Sequence, residues 1–246
     1  MGQRRGVRIA FVGKGGAGKS VVAGTLCRQL ARAGQAVLAL DLDTMAGLAL
    51  SLGLGQTGAR LPTGLAERVA GQGWQPTPGL RPARLVDRYA RRGPDDVRFL
   101  ELGKLPGQAE PAVTVAFRHV LERFRRPGWS IIADLAAGTR QPMFGWAHFA
   151  SMVVVVADPS AKALLTARRL VRAGVGTHLL ANKVQTEADL AAISSAVPLP
   201  LLGAVPYDPV VAEAERAGQA PIDAAPDAPA VGAIGEVARR VLEAAA

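Results

Sequence analysis

The sequence predicts a doubly wound α/β fold, a mostly parallel sheet with helices on both faces, and three observations point that way. Short apolar runs of strand length recur along the whole chain: Val7 to Val12, Val37 to Leu40, Val97 to Leu102, Trp129 to Ala133, Ser151 to Ala157, Thr177 to Ala181 and Leu201 to Val205. Longer segments of helical composition separate several of these runs, and such alternation marks a parallel sheet covered on both sides. The residues are 49% hydrophobic but only 4% aromatic, so the core must be aliphatic and alanine-rich, which suits strands buried on both faces.

Taken in order, Val7 to Val12 runs directly into glycines, and Ser20 to Ala33 is helical in composition and stops before Gly34. Val37 to Leu40 is a second strand that ends at Asp41. Between Leu48 and Pro94 the pattern weakens. Gly and Pro recur there among short apolar pieces, Leu61 to Val69 and Leu80 to Tyr89, which read as short helices over one end of the sheet. Val97 to Leu102 restores a strand, Ala112 to Phe124 forms a helix, and Trp129 to Ala133 is a strand closed by Asp134. Ser151 to Ala157 is followed by a helix that begins near Ser160 and stops before Gly174; Thr177 to Ala181 and Leu201 to Val205 are the last strands. Val231, Ile234, Val237 and Val241 or Leu242 recur at spacings of three and four, a closing helix whose apolar face docks on the domain. The 246 residues fit one large α/β domain with a variable Gly/Pro-rich segment at about 53–94.

Composition removes several functions. Cys27 is alone, so an intrachain disulfide and a cysteine-rich metal centre are excluded, and it reads as a small buried residue of the first helix. His119, His148 and His178 are scattered without ligand spacing and form no nucleophilic triad with a serine. The longest strongly apolar run, Met152 to Ala157, is far too short for a membrane span. No signal-peptide core is recognised, so the cytoplasm is the expected location. The net charge of +9 is concentrated in residues 1–183. Arg81, Arg84, Arg88, Arg91 and Arg92 either solvate a helix and its flanks or attract an anionic partner such as DNA; no helix-turn-helix, zinc finger or aromatic ladder accompanies them.

The chemistry sits at the strand ends. Gly13-Lys14-Gly15-Gly16-Ala17-Gly18-Lys19-Ser20 has two glycines framing four residues and followed by Lys-Ser, placed between a strand and a helix. This is a phosphate-binding loop, and the fold is therefore expected to be a P-loop NTPase. The glycines allow a concave turn that aims successive backbone N–H groups at phosphate oxygens, aided by the start of the following helix. Lys19 is expected to reach the β and γ phosphates of a bound nucleotide and the Ser20 hydroxyl to ligate Mg²⁺. Asp41 and Asp43 sit at the mouth of the second strand, where alternate residues share a face, although Asp41 can equally cap the segment that follows. Asp134 can hold a magnesium-bound water while the Gly138 N–H approaches the γ phosphate. Asn182 and Lys183, and Pro206 with Asp208, end the last two strands, positions that ordinary loop chemistry also fills.

Lys14, inside the loop, is not demanded by the general pattern and by itself reads as a solvated cation beside an anion site. With it, the loop resembles the deviant Walker A motif of the MinD/ParA class of dimerising ATPases. The resemblance implies a Mg²⁺-dependent ATP hydrolase in which Lys14 reaches across a homodimer interface to the other subunit's nucleotide. It implies that Asp43 positions the attacking water, that Asp41 belongs to the magnesium region, and that Asp134 with Ala137-Gly138 is the Walker B segment. It also implies that Asn182 offers its amide to adenine, with Lys183 beside it and Pro206 and Asp208 shaping the far side. The family commonly has proline after the second acid, where this chain has Thr44. The stretch from Gly203 to Ala214, with the Walker B context, is most similar to the CooC-like carbon monoxide dehydrogenase maturation branch. That branch carries a Cys-x-Cys metal motif where this chain reads Gly103 to Pro111 without cysteine, so the ATPase transfers and the metal handling does not. The function expected first is an ATP-gated homodimer driving a maturation or regulatory step on a protein client. The alternatives are a ParA-like positioning protein whose dimer binds nonspecific DNA, and an interaction module with negligible turnover.

Overall fold

The computed structural model describes residues 6–43, 47–55, 57–104 and 109–245. Thr44 and the centre of the loop aligned with the Cys-x-Cys motif lie outside them. The first half is β1 (Arg8–Gly13), α1 (Lys19–Arg32), β2 (Ala36–Asp41), α2 (Gly47–Ser51), β3 (Ala66–Val69), β4 (Gly73–Pro76), α3 (Pro82–Tyr89), β5 (Arg91–Arg92), β6 (Arg98–Glu101) and α4 (Ala109–Arg123). The second is β7 (Trp129–Asp134), β8 (Met152–Ala157), α5 (Ala161–Arg172), β9 (His178–Val184), α6 (Glu187–Ala196), β10 (Leu201–Pro206), α7 (Pro209–Arg216), α8 (Pro221–Ala224) and α9 (Pro229–Ala245).

Eight strands form one sheet in the order β10-β9-β8-β1-β7-β2-β6-β5. Neighbours are parallel except the two-residue edge strand β5, which runs antiparallel to β6. Successive side chains of each strand feed opposite faces. Leu38 and Leu40 join Phe117, Val120 and Phe124 of α4 and its exit on one face, while Val37 and Ala39 join Leu26 and Leu30 of α1 and Val237 of α9 on the other. The expected doubly wound architecture is therefore observed, with a mostly aliphatic core in two layers that also enclose Phe11, Phe99, Phe117 and Phe124.

Strands β7 and β8 flank β1, and the chain winds outward from there in both directions. Such a reversal opens a crevice at the carboxyl ends of the strands, where ligands of open α/β sheets bind. The register places Asp41 of β2 opposite Asp134 of β7 and Glu101 of β6, so a row of carboxylates lies along that edge.

The variable segment departs from expectation. Leu61 to Val69 is not a short helix. A 3₁₀ turn at Thr63–Leu65 leads into an antiparallel hairpin of β3 and β4, while Leu80 to Tyr89 does contain the helix α3. Among the described residues no helix is long and apolar enough to cross a membrane.

Candidate nucleotide site

The loop between β1 and α1 takes its shape from two close approaches. Gly13 has φ 148°, and a Cβ there would stand 2.4 Å from the Val156 carbonyl oxygen; Gly18 has φ 88°, and a Cβ there would stand 2.2 Å from Asn182 Nδ2. Only glycine fits both positions. The chain then enters α1 at Lys19 with no side chain capping its start, so the first helical amides remain available to an anion. Lys19 is buried and folds back over the loop, its Nζ donating to the Lys14 carbonyl at 3.3 Å. The Ala17 N–H donates to the same carbonyl, while Gly15 and Gly16 are exposed and Lys14 is half-buried.

Below the loop the Ser20 hydroxyl donates to Asp134 Oδ2 at 2.5 Å. Asp134 is buried, and its Oδ1 has no hydrogen-bond partner among the described residues. Asp41 is also fully buried and accepts from the Asp43 N–H at 2.9 Å and the Leu48 N–H at 3.1 Å. The chain thus turns at Asp41 instead of continuing as a strand to Asp43, and Asp41 both closes that turn and anchors α2. Burial, and then the charge of Asp134, push the Asp41 carboxyl up to about 8. Burial also raises Asp134, to about 6, against the downward pull of Lys19 and Ser20. Asp43 lies near enough to raise both. Hard oxygen donors, one of them orphaned and buried, beside a serine hydroxyl fit Mg²⁺, and Ser20 and Asp134 are the residues that would hold it. When bound, such an ion neutralises charge on phosphate oxygens.

These raised values set a pH dependence. A carboxyl that titrates higher in the folded state stabilises it below the ordinary carboxylate range, and that contribution is lost as pH rises through the folded value. The nucleotide-free protein should therefore lose thermal stability as pH passes about 6 and about 8. Because Mg²⁺ held by Ser20 and Asp134 would need Asp134 ionised, MgADP should raise the melting temperature over ADP with EDTA more at pH 8 than at pH 5.5. An equal magnesium increment at both pH values would remove Asp134 from the metal site.

A pocket opens beside the loop, lined by Gly18, Val21, Asn182, Pro206, Val211 and Val231. Asn182 is buried and donates from Nδ2 to the Ala17 carbonyl at 2.7 Å; Lys183, with φ 58°, donates from Nζ to the Gly16 carbonyl at 2.9 Å. Both residues thus brace the loop. Asp208 accepts from the Val210 N–H at 3.1 Å and the Ala230 N–H at 3.5 Å, so it shapes the pocket wall by pinning the starts of α7 and α9. The Gly138 N–H donates to the Gly13 carbonyl at 3.0 Å, which fastens the segment after β7 to the loop. Sequence reasoning missed Gln141. Its Oε1 accepts from the Ala136 N–H and its Nε2 donates to the Leu42 carbonyl, both at 2.9 Å, joining the segment after β7 to the chain that carries Asp43.

Residues 9–222 match the family described as the CobQ/CobB/MinD/ParA nucleotide binding domain. The carbon monoxide dehydrogenase accessory protein CooC of Rhodospirillum rubrum is 28% identical over 244 residues, covering 89% of this chain and 91% of that protein. In fold the chain is similar to the septum site-determining protein MinD of Pyrococcus horikoshii OT3, solved with Mg-ADP. The TM-score is 0.73 at 23% identity, over 96% of this chain and 95% of that one. A ParA family ATPase from Chlorobium tepidum TLS is similar at TM-score 0.71 and 18% identity, over 96% and 98% of the two chains. With the match running from Ile9 in β1 to Ile222 in α8, which packs beside the pocket next to the loop, the chain belongs to the CobQ/CobB/MinD/ParA nucleotide-binding family and is a P-loop ATPase.

Proposed function

We propose that the chain is a Mg²⁺-dependent ATP-driven switch in which MgATP closes two copies into a homodimer and hydrolysis reopens it. The observation that carries this reading is the Ser20–Asp134 pair with its orphaned carboxylate oxygen, lying directly under a loop that presents Lys19 and Lys14. In this reading the amides from Gly13 to Ser20 and Lys19 hold the phosphates, Asp43 orients the attacking water, and Lys14 of the partner subunit meets the charge that develops on the γ phosphoryl group. The base is adenine. The bond from Asn182 Nδ2 to the Ala17 carbonyl fixes the orientation of the amide and leaves Oδ1 as an acceptor suited to the adenine amino group. Turning the amide over would set two oxygens against each other at Ala17.

For the output, a DNA-positioning role is favoured over maturation of a protein client. Helix α5 bears Lys162, Arg168, Arg169 and Arg172 on its exposed side and no carboxylate, a surface that suits phosphate backbones. The likeness to CooC supports maturation, but the stretch aligned with that branch's Cys-x-Cys motif, Gly103 to Pro111, carries no cysteine. Fluorescence anisotropy of a random-sequence duplex tests both halves at once. MgATP should promote salt-sensitive binding and MgGTP should not. Binding that ignores the nucleotide, or none with MgATP, would return the output to a protein client; equal responses to ATP and GTP would overturn the adenine assignment.

A further inference from the structure

Arg28 lies in the middle of α1 with 3% of its side chain exposed. A guanidinium so enclosed persists only when its donors are met, and here three separate elements meet them. Nη1 and Nη2 grip Asp223 of α8 in a bidentate pair at 2.8 Å each, Nη1 also donates to the Leu52 carbonyl at 3.0 Å, and Nε donates to Asp95 in the turn before β6. None of this belongs to the phosphate loop, yet two of the three partners lead to it.

One partner leads to the base. Pro221 of α8 lines the base pocket, and Ala220 and Ile222 pack with Val211 and Val231, which line it too. The other leads to the metal. Leu52 ends the segment of α2, whose Leu48 N–H is bound to Asp41 and whose Gly47 approaches so closely that a Cβ there would stand 2.9 Å from Ser20 Oγ. The two branches meet again at Gly53, where a Cβ would stand 3.3 Å from Asp223 Oδ2 and 3.6 Å from Ala220 Cβ. Helix α2 is therefore held at one end by a magnesium-side acid and at the other by the residue that holds the base-pocket wall.

We propose that Arg28 is a positioning residue that couples occupancy of the base pocket to the placement of α2 over Ser20 and Asp41. The inference rests on the reading that ATP binds with its base in this pocket. A rigid fork that grips Asp223 with two nitrogens while reaching the Leu52 carbonyl transmits a shift of α8 to the end of α2, which a single-point ammonium would not. Arg32 also pairs with both Asp95 and Asp223, but Asp95 lines no part of the pocket, so Asp95→Asn loosens the same ion network without touching the pocket wall and separates coupling from mere stability.

Replacing Arg28 strips a nearly buried network and threatens the fold, so the test uses Asp223→Asn and Asp95→Asn with two magnesium-loaded probes. ADP fills both base and phosphate sites; inorganic tripolyphosphate fills the phosphate site alone. Hydrogen exchange of residues 47–53 is the readout. In the wild type, ADP should slow exchange there about 5-fold or more beyond the effect of tripolyphosphate. Asp223→Asn should bring the two probes level, while Asp95→Asn should lower the melting temperature and keep the difference. Equal protection by both probes in the wild type, or loss of the difference in both variants alike, would overturn the proposal. ADP that fails to bind the wild type would instead overturn the nucleotide reading beneath it.

Discussion

Lys19→Ala is expected to abolish measurable MgATP turnover and to weaken MgATP binding sharply. Lys19 is buried with its ammonium turned over the loop, so in the proposed reading it is the cation that one copy holds in place over its own phosphate cradle. Removing a preorganised donor to developing charge costs about 100- to 1,000-fold in rate. Losing a charge-assisted contact in binding costs about 1.5 to 3 kcal/mol. A second effect acts in the same direction. Lys19 is the largest influence holding the Asp134 carboxyl down, so without it Asp134 titrates higher and is less ionised at neutral pH, when Mg²⁺ needs it. Calorimetry with MgATP should therefore record a loss that grows as pH falls from 8 to 6, and phosphate release should vanish across that range. Unchanged affinity and turnover would remove Lys19 from the site.

How much of this was legible in the sequence depended on the reach of each signal. The loop from Gly13 to Ser20 is contiguous, so its spacing alone marks the motif, although the groups that crowd its glycines, Val156 and Asn182, lie far along the chain. Asp41 and Asp134 were readable because each closes an apolar run, and strands buried on both faces leave such runs unbroken. The hairpin of β3 and β4 was not readable: Ala66 is its one buried residue, Glu67 and Arg68 are exposed and Trp74 is only half-buried, so neither strand has a continuous buried face to impose alternation. Helix α6 left a local signal that went unread, the capping box of Thr186 with Asp189. Arg28 and Gln141 left none. Their partners are Asp223, 195 residues away, and Leu42, 99 residues away. One more arginine in a helix, or one glutamine in a loop, acquires its role only when the fold brings those groups together.

Lys14→Ala should separate monomer binding from dimer closure. In one copy the backbone of Lys14 already serves the loop, its carbonyl accepting from the Ala17 N–H and from Lys19 Nζ, both at 3.3 Å. Alanine keeps that carbonyl, so the cradle and Lys19 survive and the monomer's MgATP affinity should change little. What is lost is an ammonium on a half-buried side chain beside the exposed Gly15 and Gly16. If it meets phosphate charge only when a second copy faces the first, its removal withdraws a contact worth about 1.5 to 3 kcal/mol, roughly 10- to 150-fold, at each of two symmetric sites. Independent contributions multiply, so dimerisation should weaken by about 100-fold at the least. Turnover should fall with it, because the same cation opposes the charge that develops on the transferred group. Sedimentation with MgATP or a slowly hydrolysed analogue, paired with phosphate release over a range of protein concentrations, reads both effects. Wild-type activity per chain should drop on dilution, and the variant should already behave as the diluted protein does. A wild type that stays monomeric at high concentration while its turnover per chain is constant would return Lys14 to a solvated cation beside the loop.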